Sequence, residues 1–356
     1  MSATSLAGTI ETGNAFPVPR NEEELDLLLS EPSPAALAAL EKLDSDLVIL
    51  GVSGKMGPTL ARMAVRGLEE LNSPRRVYGV ARFSQPQVRD RLEGWGVQTV
   101  TCDLLDSSEL AGLPDSGSVI YMAGQKFGTT GNQHMTWAIN THLPGLVCER
   151  YLDARIVAFS TGNVYPLVPV VAGGPREEHP LDPVGEYAMS CLGRERIFDY
   201  FARAHGLRCA IVRLNYAVEM RYGVLVDIAR KVYAEQPVAL DMGAANVIWQ
   251  GDANAQAIAL LDHCAAPPFV LNVTGPETVS VRRVAETLGD LFGKKPRFSG
   301  EEAPTALLNN AAKAAQVFGY PRVSLQQMIE WIAAWVESDG ASLDKPTHFE
   351  TRDGSF

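Results

Sequence analysis

The chain has 356 residues, of which 46% are hydrophobic, and its formal net charge at pH 7 is −11. This length and composition allow one large core with a smaller lobe beside it. The acidic balance, with no long run of lysine or arginine, argues against a nucleic-acid partner, because binding to phosphates needs a basic surface.

Cysteine usage and hydropathy bear on the compartment. The five cysteines are widely spaced and form no Cys-x-x-Cys pair, which predicts free thiols and a cytoplasmic location. No apolar run approaches 18 residues and the first ten residues lack the order of a signal peptide, so we expect no membrane partner. The six histidines show no metal-ligand spacing, and we predict no metal site.

The N-terminal residues 1–45 are predicted to form an arm followed by a helix. Residues 1 to about 21 contain Gly, Pro, Thr and Asn without periodicity, as in a flexible arm. Glu22 to Leu43 is predicted to be helical, with a start signal at Ser33-Pro34.

The segment after this helix carries the strongest signal in the chain. Leu47–Leu50 is apolar and partly β-branched, as in a buried parallel strand, and three glycines spaced three apart follow it before a helical pattern begins. In a dinucleotide site such glycines allow a sharp turn, a close approach of pyrophosphate, and packing of the helix on the strand. The helix N-terminus then faces the phosphates. We therefore predict that Gly51, Gly54 and Gly57 form a pyrophosphate site rather than a plain tight turn.

Strand and helix patterns then alternate. Helices are predicted at Ile139–Tyr151 and Tyr187–Ala204. The strand patterns are Arg76–Ala81, Thr99–Cys102, Ser118–Ala123, Arg155–Phe159 and Cys209–Arg213. The alternation predicts an α/β fold with a doubly wound, Rossmann-type parallel sheet over residues 46–215.

Beyond Arg213 the pattern predicts a smaller C-terminal substrate lobe, mostly within residues 216–340 and interleaved with the sheet. The lobe should cap the carboxyl ends of the strands, where open α/β sheets bind ligands. Residues 341–356 form a polar tail that is either loose or bound to a partner subunit. The predicted elements are helices at Val224–Tyr233, Val281–Leu291 and Ser324–Val336, and a strand at Phe269–Val273.

Several motifs together resemble the extended short-chain dehydrogenase/reductases, the NAD-dependent epimerase/dehydratase family. The resemblance runs from about Leu47 to Val336. It implies hydride transfer between a nicotinamide cofactor and a secondary alcohol of a sugar or sugar-derived substrate. The motifs are Gly51-x-x-Gly54-x-x-Gly57, Cys102-Asp103-Leu104, Met122-Ala123-Gly124, Ser160–Tyr165, Glu186-Tyr187 and Asn272–Ser280.

The resemblance also implies cofactor contacts. Asp103 would accept from the adenine amino group beside a backbone contact at Leu104. Ala123–Lys126 is similar to the Ala-Gly-x-Lys of UDP-galactose epimerases, whose lysine touches the cofactor, and Asn140 matches the asparagine of the next helix. The predicted cofactor-binding residues are Gly51, Gly54, Lys55, Met56, Gly57, Arg82, Asp103, Leu104, Ala123, Gly124, Lys126, Asn140 and Tyr187.

The catalytic residues implied by the resemblance are Thr161 and Tyr187, which would flank the carbinol and exchange its proton. A phenol with an ordinary pKa of about 10 needs a nearby cation to act as a base at neutral pH. The family places a lysine four residues after the tyrosine, whereas this chain has Cys191. Three interpretations stay open: another cation substitutes, the step is slow and needs raised pH, or the chain only binds the cofactor.

Lys126 is the favoured substitute and completes the predicted catalytic set. Arg194 lies seven residues after Tyr187, about 10 Å along the helix, so its side chain would reach only part of the way. It would otherwise be a surface charge. A nucleophilic thiol at Cys191 is a further alternative, although no histidine lies near it in sequence.

The choice between NAD and NADP depends on the end of the second strand. NAD-binding folds place an acidic residue there to hold the ribose hydroxyls. Here the sequence is Ala81-Arg82-Phe83-Ser84, without a carboxylate. Arg82 and Lys55 are available for a 2′-phosphate, so the sequence favours NADP.

The sequence gives two indications against common substrates of the family. Hexose dehydratases have Thr-Asp-Glu where this chain has Thr161-Gly162-Asn163, which offers no added acid or base. The arginine that pairs with a nucleotide-sugar diphosphate is replaced by Ala245, and Glu301 and Glu302 would repel a phosphate at the second arginine site. A nucleotide-sugar substrate is therefore disfavoured.

Four residues are candidates for a carbohydrate-like ligand. Asn163, Asn215 and Trp249 could hydrogen-bond or stack on a polyhydroxylated ring, and Arg221 could bind a sugar carboxylate. We accordingly predict an NAD(P)-dependent oxidoreductase or epimerase with a small-molecule substrate, and by analogy a homodimer. The alternatives are a non-catalytic NAD(P)-binding sensor or scaffold, a nucleotide-sugar epimerase or dehydratase, and a reductase of a non-sugar ketone.

Overall fold

The structure, a computed structural model, describes residues 18–126, 131–345 and 347–354. Most of the predicted N-terminal arm lies outside these ranges. The helices are α1 (Glu22–Leu29), α2 (Pro34–Glu41), α3 (Gly57–Glu70), α4 (Pro86–Gly94), α5 (Ser107–Ala111), α6 (Gln133–Trp137), α7 (Leu143–Arg150), α8 (Gly185–His205), α9 (Val224–Tyr233), α10 (Gln250–Ala259), α11 (Val281–Phe292), α12 (Ala312–Phe318) and α13 (Leu325–Glu337).

A π-helical turn, Ala138–His142, joins α6 to α7. The strands are β1 (Leu47–Leu50), β2 (Val77–Ala81), β3 (Gln98–Thr101), β4 (Ser118–Tyr121), β5 (Arg155–Thr161), β6 (Val168–Pro169), β7 (Arg208–Leu214), β8 (Ala217–Val218), β9 (Pro237–Ala239), β10 (Ala244–Ala245), β11 (Ile248–Trp249), β12 (Phe269–Val273), β13 (Val279–Ser280), β14 (Arg297–Ser299) and β15 (Thr305–Ala306).

A parallel sheet of seven strands forms the centre of the molecule, in the order β12-β7-β5-β4-β1-β2-β3. The chain proceeds from β1 through β2 to β3 on one side, then returns to β4 on the other side of β1. Open sheets of this kind bind ligands at the carboxyl ends of the strands where the order reverses. The doubly wound fold predicted from the sequence is confirmed.

The strand β1 shows why the sheet is buried on both faces. Leu47 and Ile49 belong to one apolar cluster, whereas Val48 and Leu50 belong to another on the opposite face. Successive side chains of a strand point to opposite faces, so a strand covered by helices on both sides must be apolar throughout. This is the pattern from which the strand was predicted.

A second core holds the C-terminal lobe together. The helices α9, α11 and α13 pack on one another, and Leu25 and Leu29 of α1 join the same cluster. The predicted helix over Glu22–Leu43 is in fact α1 and α2, because Pro32 and Pro34 interrupt it and Ser33 caps α2. Strand β12 pairs with β7 as an edge of the main sheet, so the chain returns from the lobe to the Rossmann side.

The described residues after α13 lie on the lobe of the same chain. Phe349 is buried in the lobe core. Arg352 donates to the carbonyls of Asp241 and Thr305, at 3.0 and 2.8 Å. The polar tail, expected to be loose or bound to a partner, is attached to its own subunit instead.

Candidate active site and dinucleotide site

The turn after β1 has the geometry that its three glycines require. Gly51 has φ of +84°, and a Cβ at this position would lie 2.6 Å from the backbone nitrogen of Ala123. A Cβ at Gly57 would lie 2.1 Å from the carbonyl oxygen of Val52. A Cβ at Gly54, in contrast, would meet only the Gly51 carbonyl, at 3.5 Å. The fold thus explains the first and third glycines, whereas the second leaves an open approach for a ligand.

Backbone donors surround this open approach. Helix α3 begins at Gly57, and its N-cap residue Met56 makes no side-chain capping hydrogen bond. In the described part of the chain, the N–H groups of Ser53, Lys55 and Met56 have no backbone or side-chain acceptor. A helix N-terminus with unpaired N–H groups is a ready-made anion site. The turn therefore fits a pyrophosphate.

A cavity of about 540 Å³ extends from this turn along the ends of β2 and β3. Its walls include seven of the predicted cofactor residues besides other parts of the loop after β4. Asp103, which closes a turn by accepting from the Leu105 N–H at 3.1 Å, is exposed at its rim. The predicted cofactor residues in the wall are Gly51, Gly54, Arg82, Asp103, Leu104, Ala123 and Gly124. Their donors and acceptors fit a nicotinamide dinucleotide.

Lys55 does not line this cavity with Arg82, so the prediction that the Lys55 side chain is available for a 2′-phosphate there is wrong. The Lys55 Nζ donates to the carbonyl of Ala217 at 2.9 Å and lies 4.1 Å from the centre of the Tyr222 ring. It points toward the lobe because the turn directs it away from β2. Burial lowers the pKa of Lys55 to about 7.

Asn140 also differs from its predicted role as a cofactor contact. It is fully buried, with 0% exposure. Its amide donates to the Gln125 carbonyl and the Ser190 hydroxyl, each at 2.9 Å, and its Oδ1 accepts from the Gln125 N–H at 2.9 Å. Its hydrogen-bonding capacity is used inside the protein, so Asn140 holds the loop before Lys126 in place rather than touching a ligand.

A second cavity, of about 260 Å³, adjoins the first and shares Gly51, Gly54 and Met122 with it. Thr161, the last residue of β5, and Tyr187, in the first turn of α8, both line it. A hydrogen bond joins their side chains. The predicted catalytic pair therefore lies beside the glycine turn, and Lys126 and Met56 line the same cavity.

The electrostatics of Tyr187 are dominated by desolvation. Burial raises the pKa of Tyr187 above its ordinary value, and the nearby Cys191 acts in the same direction. The charge of Arg194 and the hydrogen bond with Thr161 lower the pKa again, without offsetting burial. The phenol is consequently protonated at neutral pH and needs help to act as a base.

Cys191, which the resemblance matches to the lysine of the family, is fully buried. It packs with Val164 and Tyr165, and burial raises the pKa of its thiol. A nucleophilic cysteine needs a stabilised thiolate. The thiol therefore acts as a small packed group, and the alternative of a catalytic thiol finds no support.

Arg194 is not a surface charge. It is buried, donating to the Phe159 carbonyl and to the Asn140 Oδ1, each at 2.7 Å. It lies directly below the cofactor loop, since a Cβ at Gly124 would be 2.7 Å from its Nη2. Its charge lowers the pKa of Tyr187, and Lys126 lines the second cavity with Tyr187.

Lys126 has a pKa near neutrality. Burial lowers the pKa of this amine to about 8, while Cys191 and Asp227 act in the opposite direction. Its Nζ lies 3.5 Å from the Thr347 carbonyl. A cation that exchanges its proton near pH 8 beside Tyr187 suits proton transfer.

The predicted substrate residues divide into two pairs. Asn163 and Asn215 line the second cavity. Trp249 is 1% exposed and packs edge-on against Trp331 in the lobe core, so its prediction as a ligand contact is wrong. The prediction that Arg221 contacts a ligand is also wrong.

The side chain of Arg221 is committed to carboxylates of the protein. It pairs with Asp26 at 2.8 Å, Glu22 at 3.0 Å and Glu219 at 3.1 Å. These pairs connect α1 to the lobe, and Arg221 does not line the cavity. A buried arginine with such partners is structural.

Sequence reasoning missed several residues in the wall of the second cavity, among them Tyr216, Tyr222 and Thr347. Tyr216 directly follows Asn215 and has a positive φ of 42°, and Tyr222 follows Arg221, so the segment that held two candidates also held these. Thr347 gave no signal, because its place depends on how the tail folds back.

The described residues offer neither a metal cluster nor a membrane-spanning helix. Within the described ranges, no cluster of three or more His, Cys, Asp or Glu side chains could hold a metal ion. The helices of those ranges also include none that is both long and apolar enough to span a bilayer. All five cysteines, which lie inside the described ranges, are free thiols.

The sequence of residues 47–240 matches the family model described as the NAD dependent epimerase/dehydratase family. No curated protein gives a significant match. The solved structures include many similar chains. UDP-glucuronic acid 4-epimerase from Bacillus cereus in complex with NAD is 18% identical, with 82% of this chain and 99% of that chain covered and a TM-score of 0.68.

Two further solved structures have the same fold. The dTDP-glucose 4,6-dehydratase from Streptomyces venezuelae, with NAD bound, is 18% identical over 83% of this chain and 97% of that chain, with a TM-score of 0.68. UDP-glucose 4-epimerase from Thermotoga maritima, with UDP-glucose, is 16% identical over 83% and 99%, with a TM-score of 0.66. At these identities the likeness establishes a shared fold.

Proposed function

Because the chain belongs to the NAD-dependent epimerase/dehydratase family, we propose that it transfers hydride reversibly between a nicotinamide dinucleotide and a secondary alcohol of a sugar or sugar-derived substrate. The observation that carries this proposal is the meeting of Thr161 and Tyr187 with the glycine turn at one cavity. A hydroxyl pair beside a dinucleotide cradle is the arrangement that oxidation of a carbinol requires.

A nicotinamide dinucleotide held at the glycine turn by Gly51 and Gly54 would supply the hydride acceptor for oxidation of the carbinol carbon and the hydride donor for the reverse reaction. Thr161 and Tyr187 hydrogen-bond the substrate hydroxyl, and the Tyr187 oxygen takes the hydroxyl proton during oxidation and gives it back during reduction. The positive charge of Arg194 stabilises the phenolate form of Tyr187. Lys126, whose pKa is about 8, exchanges the proton with solvent or with Tyr187. Together, the two cations supply the positive charge that the family obtains from a lysine at the position of Cys191.

The proposal predicts saturable dinucleotide binding, measured by calorimetry with the oxidised and reduced forms of NAD and NADP. It also predicts dinucleotide reduction when the protein is offered sugars, sugar acids and polyols. Tyr187→Phe should lower kcat at least about 100-fold while dinucleotide affinity stays within about twofold. Tyr320→Phe, an exposed tyrosine far from the cavity, is the matched control and should be unchanged. Absence of dinucleotide binding would refute the proposal, and binding without turnover of any alcohol would favour a sensor or scaffold.

We further propose that NADP is preferred over NAD. Support comes from Arg82, which directly follows β2 and is exposed in the wall of the first cavity. The sequence at this end of β2, Ala81–Ser84, contains no acidic side chain. An arginine suits a phosphate through paired N–H donors. Arg82→Ala should weaken NADP binding about tenfold and leave NAD binding within about twofold. An equal loss for both dinucleotides would remove the basis for this preference.

The proposed assembly is a homodimer formed through the outer face of α8. Support comes from Met189 and Tyr200 on this helix, which are 45% and 56% exposed, and from the half-exposed Trp137 near its start. Exposed apolar groups on one face mark interaction surfaces. Sedimentation of the Met189→Glu variant should show a shift toward the monomer. An unchanged sedimentation profile would exclude this face.

A reducing, cytoplasmic compartment is the setting we propose. Support comes from the five free thiols, four of which are buried. Secreted proteins commonly pair such residues as disulfides. Localisation of a tagged chain by microscopy or fractionation tests this.

A further inference from the structure

Lys55 places a positive charge in the wall of the second cavity. Its Nζ has the Ala217 carbonyl and the Tyr222 ring as partners, and within the described ranges no carboxylate oxygen lies within 4.0 Å of it. The two acidic groups that act on it are engaged elsewhere. Glu219 pairs with Arg221 at 3.1 Å, and Asp227 accepts from the Thr347 hydroxyl at 2.6 Å.

Asn215 adds an unsatisfied donor to the same wall. The residue is 2% exposed, and its Nδ2 has no hydrogen-bond partner. Its backbone is fixed, because its N–H donates to the Val273 carbonyl at 3.0 Å and its carbonyl accepts from the Thr274 hydroxyl at 3.1 Å. A buried donor without an acceptor destabilises the protein unless a ligand acceptor satisfies it. A ligand with a hydrogen-bond acceptor would therefore satisfy the Asn215 amide, and a negatively charged ligand would pair with the Lys55 ammonium.

The cavity is small, and the chain itself closes part of it. Its volume of about 260 Å³ is below the roughly 300–1,000 Å³ of pockets that hold drug-sized ligands. Thr347 forms part of the wall and is anchored to Asp227, while Phe349 and Arg352 hold the following residues on the lobe. The cavity thus has space for a single ring or a short open chain beside Thr161 and Tyr187.

We propose that the substrate is a small carboxylate-bearing polyol, such as a sugar acid without a nucleotide, whose carboxylate is bound by Lys55 and the Asn215 amide. This inference rests on the proposed function, because it takes Thr161 and Tyr187 as the site of the reacting hydroxyl. It differs from the nucleotide-sugar substrates named for the structural relatives.

The test is binding to the wild-type protein saturated with its preferred oxidised dinucleotide, below about pH 7, where Lys55 is protonated. The probes are D-galacturonate, D-glucuronate and D-gluconate, their uncharged counterparts D-galactose, D-glucose and D-glucitol, and UDP-glucose and UDP-glucuronate. We expect at least one acid to bind about tenfold more tightly than its uncharged counterpart and more tightly than either nucleotide sugar.

Variants of Lys55 and Asn215 test whether these two residues cause the preference for acids. Lys55→Met should reduce the affinity for the acid about tenfold, to that of the uncharged counterpart, whereas Lys55→Arg should retain most of it. Asn215→Leu should also weaken acid binding. Lys313→Met is the matched control, because Lys313 likewise donates to a carbonyl, at 2.7 Å, and lies over an aromatic ring, but outside the cavity. Dinucleotide affinity should be unchanged in all four variants.

The outcomes separate this inference from the proposed function. Turnover of uncharged alcohols with no preference for acids would overturn the inference and leave the function standing. Tighter binding of a nucleotide sugar, or an acid affinity that Lys55→Met leaves intact, would do the same. Failure to bind any dinucleotide would defeat the proposed function. Lys55-dependent acid binding without turnover would support the inference and count against catalysis.

Discussion

Arg194 donates to Asn140 Oδ1 at 2.7 Å, and this bond ties helix α8 to the loop that lines the dinucleotide cavity. The Asn140 side chain in turn holds the backbone of Gln125 through two hydrogen bonds, each 2.9 Å long. Arg194 lies on the same helix as Tyr187, two turns further on. The phenol and the cofactor loop are thus positioned by one buried pair, although neither member of the pair lines either cavity.

Arg194→Met should reduce both stability and activity. It removes the side-chain donor of the Phe159 carbonyl and one of the two donors to Asn140 Oδ1, which costs about 1–3 kcal/mol in the free energy of unfolding. It also removes a positive charge that lowers the pKa of Tyr187, so the pH–rate profile of kcat should shift to higher pH. Urea unfolding and the pH–rate profile measure the two effects. A loss of stability with an unshifted profile would restrict Arg194 to a structural role.

Gly54→Ala should affect the ligand and not the fold. A Cβ here meets only the Gly51 carbonyl at 3.5 Å, so unfolding should change by less than about 1 kcal/mol, while dinucleotide affinity falls about tenfold or more. Gly94→Ala, with nothing within 4 Å, is the neutral control. Gly57→Ala should instead destabilise the protein, because its Cβ would lie 2.1 Å from the Val52 carbonyl. Unchanged dinucleotide binding in Gly54→Ala would mean that the pyrophosphate lies elsewhere.

Lys55 should make stability rise with pH. Burial lowers its pKa from 10.5 to about 7, with smaller effects from Glu219, Arg221, Lys126 and Asp227. Between these values the unfolded chain holds a proton that the folded chain has lost, so the free energy of unfolding increases with pH. Below about pH 7 both states are protonated and the contribution is constant.

Chemical unfolding near pH 7 and near pH 9 measures this linkage. Lys55→Met should lower the slope relative to the wild type. Lys126, whose pKa is also lowered, contributes in the same direction as Lys55, and the buried thiols, whose pKa values are raised, contribute in the opposite direction in both proteins. Lys313→Met should retain the full rise. Identical slopes in the wild type and Lys55→Met would show that Lys55 titrates as in the unfolded chain.

Asp227→Asn should loosen the tail from the cavity. Asp227 Oδ2 accepts from the Thr347 N–H at 2.9 Å and from its hydroxyl at 2.6 Å, and both bonds lose their charge assistance in the amide. We expect faster limited proteolysis after α13 and a higher KM for the substrate, with dinucleotide affinity unchanged. Thr347→Val, which removes only the hydroxyl bond, should give a smaller change in the same direction. Wild-type proteolysis in Asp227→Asn would contradict this anchoring role.

Arg221→Met should be destabilising without being catalytic. Asp26 and Glu219 are buried and would lose the guanidinium, while Asp26 keeps Arg91 at 3.5 Å and Glu219 keeps the backbone N–H of residue 221. Removing one partner of a buried ion pair costs about 3–5 kcal/mol. Thermal unfolding should shift markedly, whereas KM and kcat of the folded fraction should match the wild type. Arg196→Met, on an exposed arginine, should change stability by less than about 0.5 kcal/mol. A raised KM for acids with normal stability would return Arg221 to the substrate site.

The sequence alone predicted the doubly wound sheet because its strands are buried on both faces and therefore read as continuous apolar runs, as at Leu47–Leu50. The glycine turn was predictable for a similar reason: backbone geometry at Gly51 and Gly57 excludes a Cβ whatever else surrounds them. Local constraints of this kind are visible in a single chain.

Side-chain direction was not predictable. Trp249 and Arg221 had the chemistry for a sugar acid, but the lobe buried one against Trp331 and paired the other with carboxylates of α1 and Glu219. Lys55 follows Gly54 directly, and only the completed turn shows that it faces the lobe. Such assignments depend on contacts between residues distant in sequence, for which periodicity carries no signal.

The attachment of the tail to its own lobe also bears on how subunits would cooperate. Thr347 reaches the cavity through the same chain that supplies Tyr187, so a neighbouring copy is not needed to complete this wall. Co-expressed wild-type and Tyr187→Phe chains should accordingly give activity in linear proportion to the wild-type fraction. Each polypeptide would behave as a self-contained chemical unit, even within a dimer.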